Sequence, residues 1–193
     1  ILDVDAHHGN GTQEKFYETN KVLYISMHED PTIFPGTGFI EEIGEREGLG
    51  YNVNIPLPYG TGDQIYLRAI EEVVTPIACQ YKPEFMLVSA GFDGHYSDPV
   101  GNLSLSALCI QQVYETIVSL ASKTCKGKIV CILEGGYSVN FIGKLVATAI
   151  ARMSETSWAV EDRIPAIKKS VETQGERVIK EVKKVQRAFW SID

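Results

Sequence analysis

Cysteine is scarce in this sequence: Cys79, Cys109, Cys125 and Cys131 are its four, and no two form a C-x-x-C pair. A disulfide framework and a thiolate metal site are thereby set aside, because both need cysteines at short or repeated spacings. Each cysteine stands among apolar or small residues and reads as a free buried thiol, which predicts a reducing, cytoplasmic setting. Long hydrophobic runs are also lacking. No window approaches the roughly 18 uninterrupted apolar residues of a membrane helix, and no secretory signal opens the sequence, so no membrane partner is expected. Positive charge is in short supply. Eighteen Lys and Arg stand against 25 Asp and Glu, a formal net charge of −7 over 193 residues. Such a surface repels polyanions, which argues against nucleic acid as the primary ligand. The deficit is uneven: residues 1–151 hold 9 bases and 18 acids, residues 152–193 hold 9 bases and 7 acids. A solvated basic helix at the end accounts for that.

What is present is ordinary for a globular chain, with 44% hydrophobic and 22% charged residues. The length suits one sizeable domain and is short for two. Short apolar, β-branched runs alternate with longer helical patterns. Strands are predicted over 1–5, 22–26, 51–57, 85–89 and 128–133. Helices are predicted over 12–19, 64–80, 104–122 and 139–153, with Pro76 set to kink or divide the second. This alternation predicts an α/β fold: a mainly parallel sheet with helices on both faces. Residues 155–193 differ in character. Val178, Val182, Val185 and Phe189 share one helical stripe, which predicts a helical segment docking on the domain formed by residues 1–154.

In an open α/β sheet, ligands collect at the carboxyl ends of the strands. Three of these ends carry polar groups beside glycines: D-V-D-A-H-H-G-N-G-T at 3–12, S-A-G-F-D-G-H-Y-S-D-P-V-G at 89–101 and L-E-G-G-Y-S at 133–138. Asp3, Asp5 and His7 alternate by two, so in a strand they share one face, with Val4 and Ala6 on the other. Such a polar face is costly when buried unless it is paired or holds a cation. Carboxylate with imidazole suits a divalent transition metal, and Asp93 could supply a third ligand from another strand end. Three ligands leave coordination positions open, as catalytic zinc requires. A hydrogen-bonded acidic cluster capping the sheet is the alternative from spacing alone.

These segments, together with F-P-G-T-G at 34–38, carry a resemblance. D-V-D-A-H-H-G-N-G-T, F-P-G-T-G, A-G-F-D-x-H-x-x-D-P-x-G and E-G-G-Y, in this order over residues 1 to about 150, resemble the zinc-dependent histone deacetylase superfamily. That superfamily includes the acetoin-utilisation proteins and acetylpolyamine amidohydrolases and has an arginase-like α/β fold. The resemblance implies that Asp5, His7 and Asp93 bind catalytic zinc, with iron as the alternative ion, and that Tyr137 donates a hydrogen bond to the substrate carbonyl. It implies a potassium site at Asp3, Ser26 and the backbone of Asp5, His7 and Met27. The backbone carbonyls of Phe16, Thr19, Val22 and Tyr51 match a second. Phe34 and Val100 would line an acyl-lysine channel, beside a loop that Gly135 and Gly136 bring close to the substrate; for Phe34 the alternative is a core residue under a loop. His8, His28 and His95 read as structural or locally hydrogen-bonded, Asp98 as bracing an Asp-Pro turn, and Glu29 and Asp30 as charges near the mouth.

The family also draws a general base from a tandem histidine pair upstream of D-x-D-x-H, and the chain has only His7, His8, His28 and His95. The sequence is therefore expected to be the C-terminal part of a deacetylase catalytic domain whose N-terminal part is absent, with an exposed sheet edge beside Ile1. On this reading the chain alone has little or no activity. The substrate is acetylated lysine in a protein or a small acetylated amine such as a polyamine. A non-catalytic module that binds metal or recognises acetyl-lysine is the alternative from another class, and a homo-oligomer is one partner state compatible with either.

Overall fold

The computed structural model describes residues 1–192. The β-branched runs form five strands: β1 (Leu2–Asp3), β2 (Tyr24–Glu29), β3 (Asn52–Leu57), β4 (Met86–Ala90) and β5 (Ile129–Leu133). They make one sheet of order β3-β2-β1-β4-β5 in which every ladder is parallel. Parallel neighbours need crossover connections: α1 (Asn10–Phe16) joins β1 to β2, α2 (Asp63–Ala69) and α3 (Thr75–Tyr81) join β3 to β4, and α4 (Ala107–Cys125) joins β4 to β5. The β2–β3 connection is a long loop with one short turn at Arg46–Gly48, and α5 (Ile142–Met153) follows β5. A last helix, α6 (Lys169–Gln186), follows an extended segment. Every residue of β2 is buried, as a strand covered on both faces must be.

The predicted helix over 64–80 is divided. Between α2 and α3, residues Ile70–Val74 form a π turn, and Pro76 lies in the first turn of α3. A proline lacks the N–H for an α-helical bond and its ring crowds the carbonyl four residues back, so the widened turn in front of it relieves both. Ser106 caps α4 by accepting from the Cys109 N–H at 3.1 Å, and within this helix Tyr114 stacks on Phe92, which lies just beyond β4. Leu2, Ile25, Val53 and Val88 from the strands meet Ile65, Val73 and Ile77 from the helices in a single core. The four cysteines are free thiols, two of them buried.

The fully buried residues of α6 are Gly175, Ile179, Val182 and Gln186. Of the predicted stripe, Val182 is among them, Val178 is half-buried against the core, and Phe189, just past the helix, lies over Gly50. Gly175 allows the close approach: a Cβ there would stand 2.5 Å from the Ile65 side chain. The helix packs along β3 and α2, with Lys183 paired to Glu72 at 2.7 Å and Trp190 Nε1 donating to the Gly50 carbonyl at 2.9 Å. The expected open edge beside Ile1 is not found. β1 lies in the middle of the sheet, bonded to β2 and β4, because a parallel sheet grows outward on both sides of the strand that carries the first crossovers. The open edge is β5, where Ile132 is 50% and Leu133 61% exposed. An apolar cavity of about 200 Å³ lies at the amino ends of the strands, lined by Leu2, Ile25, Ala78 and Met86, away from the polar strand ends.

Candidate metal centre

β1 stops at Asp3, but the chain beyond it stays between its neighbours. Val4 donates to the Ser89 carbonyl (3.0 Å) and Ala6 accepts from Glu29 N–H (2.8 Å). Two short side-chain turns then fix the alternation: Asp3 Oδ1 accepts from Asp5 N–H at 3.1 Å and Asp5 Oδ1 from His7 N–H at 2.9 Å. From the end of β4, Asp93 reaches back to accept from the Ala6 N–H at 2.9 Å. Asp5, His7 and Asp93 thus converge, each offering a ligand atom within 4.8 Å of the others. His7 Nδ1 stands 3.3 Å from Asp5 Oδ1 and 2.9 Å from Asp93 Oδ2.

The donor set fits a cation. Asp93 Oδ2 is buried without a hydrogen-bond partner, despite the nearby imidazole nitrogen. A buried carboxylate oxygen in that state is costly. Gly135 borders the same space: a Cβ there would lie 2.4 Å from Asp93 Oδ2 and 2.6 Å from Asp5 Oδ2, so only glycine leaves it free. The electrostatics agree. The Asp5 and Asp93 carboxylates beside its ring push His7 up to about 10, a proton standing where positive charge is wanted. Burial raises Asp5, but its bonds from His7 and the Gly135 N–H hold it below the usual carboxylate range. Burial pushes Asp93 up, and Asp5 adds to that. The second ring nitrogen, His7 Nε2, faces Glu29 at 3.8 Å.

An open cleft of about 510 Å³ contains Asp5 and His7 together with Phe34, Gly135 and Tyr137. The Phe34 ring meets the His7 ring edge-on at 5.9 Å and is 62% exposed, so it lines the cleft and is not a core residue. Val100 is half exposed on the loop after Asp93, outside the cleft lining. Gly136 also faces elsewhere, toward Ile142 and Phe92. Tyr137 is exposed, and its phenol is pushed up by burial and by the charges of Asp93 and Asp5, which keeps its proton in place. Asp98 does more than brace its own turn. Oδ1 accepts from Val100 and Gly101, while Oδ2 accepts from the backbone N–H groups of Tyr137 (2.7 Å) and Ser138 (3.0 Å).

Asp3 and Ser26 are register partners across the β1–β2 ladder, both buried, with Met27 next along β2. Burial raises Asp3 to about 7, although the Tyr24 hydroxyl donates to it at 2.8 Å. Phe16 and Thr19 lie where α1 ends, Val22 in the loop before β2 and Tyr51 just ahead of β3. Glu29 corrects an expectation: it is buried and accepts from both the backbone and the side-chain amide of Asn102, so only Asp30 remains exposed near the mouth.

Each of the other three histidines has both ring nitrogens engaged. His8 meets Thr37 and Gln13, His28 meets Ser26 and the Gly38 carbonyl, and His95 meets Ser97 and Asp162. For His95 the local reading fails, since Asp162 is 67 residues away. The sequence reading also missed the polar core behind the F-P-G-T-G loop. Gln13 Oε1 accepts from Asn52 and Asn54, both at 2.8 Å, and Gln13 donates to Glu42, which accepts from Gly38 N–H at 2.9 Å. One signal was available: Asn52 and Asn54 alternate in β3 and therefore share a face. Gly38, at φ 105°, lies so close to the His8 and His28 rings that a Cβ would reach within 2.5 Å of the former.

Known proteins resemble this chain over most of its length. The chain is 50% identical over 139 residues to a probable deacetylase of Archaeoglobus fulgidus, covering 72% of this chain and 38% of that protein. It is 40% identical over 167 residues to histone deacetylase 14, chloroplastic, of Arabidopsis thaliana, covering 86% and 39%. The chain therefore spans about two fifths of the length of these curated relatives. Among solved structures, the HDA15 HD domain superposes with TM-score 0.84 at 34% identity over 98% of this chain and 50% of that one. The histone deacetylase Clr3 does so with TM-score 0.86 at 32% identity over 99% and 32%. Residues 1–153 match the model of the histone deacetylase domain, and the chain belongs to that family.

Proposed function

We propose that the protein containing this chain hydrolyses the amide of an acetylated amine, acetyl-lysine above all, at a zinc centre held by Asp5, His7 and Asp93. The observation that carries the reading is the orphaned, buried Asp93 Oδ2 beside His7 Nδ1, in a trio of ligand atoms within 4.8 Å of one another. Zinc or iron bound there would polarise the amide carbonyl and activate a water. The chain's own groups do the rest. Tyr137 donates a hydrogen bond from its phenol to the carbonyl oxygen, and a donor of this kind contributes about 3 kcal/mol to holding an oxyanion. Asp98 orients that tyrosine through two backbone N–H groups. Phe34 offers an apolar wall to the acyl-lysine stem. Asp3 with Ser26 and Met27, and the carbonyls of Phe16, Thr19, Val22 and Tyr51, are proposed as potassium sites. The buried carboxylate of Asp3 supports the first of these.

A second reading applies to the chain by itself. No histidine other than His7 has a free ring nitrogen, so none is available as general base for the water or general acid for the departing amine. The 193-residue chain is then a metal-binding module with little turnover. The test is metal analysis and an acetyl-lysine peptide assay on the zinc-loaded chain. Stoichiometric zinc, lost in Asp5→Ala and in Asp93→Ala, with negligible turnover, is expected. Unchanged zinc in both variants overturns the ligand assignment. Robust turnover abolished by Tyr137→Phe overturns the inactivity of the chain alone.

A further inference from the structure

The segment between α5 and α6 contributes one side chain to the interior. Asp162 is nearly buried and accepts three hydrogen bonds: from Tyr96 Oη at 2.7 Å, from the Ala107 N–H that opens α4 at 2.8 Å and from His95 Nε2 at 3.1 Å. Burial alone would raise this carboxyl, but the Ala107, Tyr96 and His95 bonds hold it below the usual range, so it stays an acceptor. His95 is fully buried, with its ring 4.5 Å from those of Tyr96 and Phe141. A carboxylate can only accept, so the His95 proton sits on Nε2 and Nδ1 accepts from Ser97 Oγ at 2.8 Å. Ser97 Oγ in turn lies 2.8 Å from Ser138 Oγ, the residue after Tyr137. The result is an unbroken hydrogen-bonded line from the tail to the loop that carries the phenol. It runs beside the Asp98 clamp on the same two residues.

We propose that Asp162 is a positioning residue for Tyr137: through His95, Ser97 and Ser138 it holds the 135–138 loop in the orientation from which the phenol faces the Asp5–His7–Asp93 cluster. The proposal rests on the role given to Tyr137 above. The tail thus reaches the active loop through a chosen tautomer and not merely through packing. Tyr96 and Ala107 bond Asp162 from its own surroundings, whereas the fully buried His95 imidazole, bonded at both nitrogens, connects two loops.

The test separates positioning from docking. Amide hydrogen exchange at Tyr137 and Ser138 is measured in the zinc-loaded chain, with Val88 in the sheet core as reference. Asp162→Ala and Ser97→Ala should each speed exchange at 137 and 138 by about tenfold or more, leaving Val88 unchanged. Ser97→Ala leaves the tail docked, so it reports even where Asp162→Ala does not fold. Ile167→Ala loosens the tail at its contact with Gly62 without touching the line, and should leave 137 and 138 as they are. In the enzyme that contains the chain, Asp162→Ala should lower kcat about tenfold with KM and zinc content unchanged. Unaltered exchange at 137 and 138 in Ser97→Ala, or an equal rise in Ile167→Ala, overturns the proposal. Wild-type enzyme without turnover would overturn the deacetylase reading and leave the exchange result to decide the positioning.

Discussion

His28 shows what a single buried side chain asks of the solvent. Burial pushes it down to about 3, with the neighbouring His8 ring, 4.8 Å away, adding to the effect. The unfolded chain protonates the same group near pH 6.5. Stability that is complete above about pH 6.5 is therefore lost as pH falls toward 3, by about 1.4 kcal/mol per pH unit. Asp3 runs the opposite way: raised to about 7, it contributes fully below its ordinary value and loses that contribution as pH rises to neutrality. The two slopes largely cancel in the wild type, so the comparison with His28→Asn isolates the histidine. Urea unfolding at pH 6.5 and pH 5 should show the wild-type advantage shrinking by about 1.5–2 kcal/mol between the two; a constant gap would contradict a neutral buried His28. At this scale legibility followed chemistry. Asp5, His7 and Asp93 were readable because ligands repeat at strand spacing beside glycines. Gln13, Glu42 and Asp162 were not, because an ordinary polar residue acquires meaning only from a partner distant in sequence, 67 residues away in the case of Asp162.

Among the elements, strands and helices were legible in kind and order from their apolar periods, and their ends moved by a few residues. The π turn ahead of Pro76 was half legible: the proline marks where the helix must yield, not how. The tail is the instructive case. Its composition marked a docked helix, but the stripe named from spacing only overlaps the docked face: Val182 is buried and Val178 half-buried against the core, while Val185 is not part of that core. The register is chosen by Gly175, whose missing side chain lets α6 sit against Ile65. Ile179 is 1% exposed in that contact. Ile179→Ala should cost about 2–5 kcal/mol in urea or thermal unfolding, whereas Val185→Ala, from the predicted stripe, should cost under about 1 kcal/mol. The reverse order would restore the stripe read from the sequence.

For the molecule as a whole, the parallel sheet at the centre is flanked by unequal edges. α6 covers β3, with Gln186 Nε2 reaching the Asn52 carbonyl at 3.4 Å. β5 pairs only with β4 and presents Val130, Ile132 and Leu133 to solvent. An uncovered apolar edge is a template for another strand. The 193-residue chain should therefore associate with rising concentration in analytical ultracentrifugation, and Ile132→Lys should shift it toward monomer without changing its far-ultraviolet circular dichroism. Equal association in both would place the contact elsewhere. The short central strand has a consequence of its own. Leu2 and Asp3 are the only ladder residues between the β2–β3 and β4–β5 pairs of strands, and Ile1, Val4 and Ala6 add single backbone bonds on one side or the other. Asp5 and His7 continue one side of that seam, and Asp93 belongs to the other. An ion held by all three would be a rivet through the weakest joint of the sheet. Binding would then add to the joint's resistance to opening, by roughly 2.7 kcal/mol at a hundredfold excess over Kd. A chelator would act on this chain as a mild denaturant.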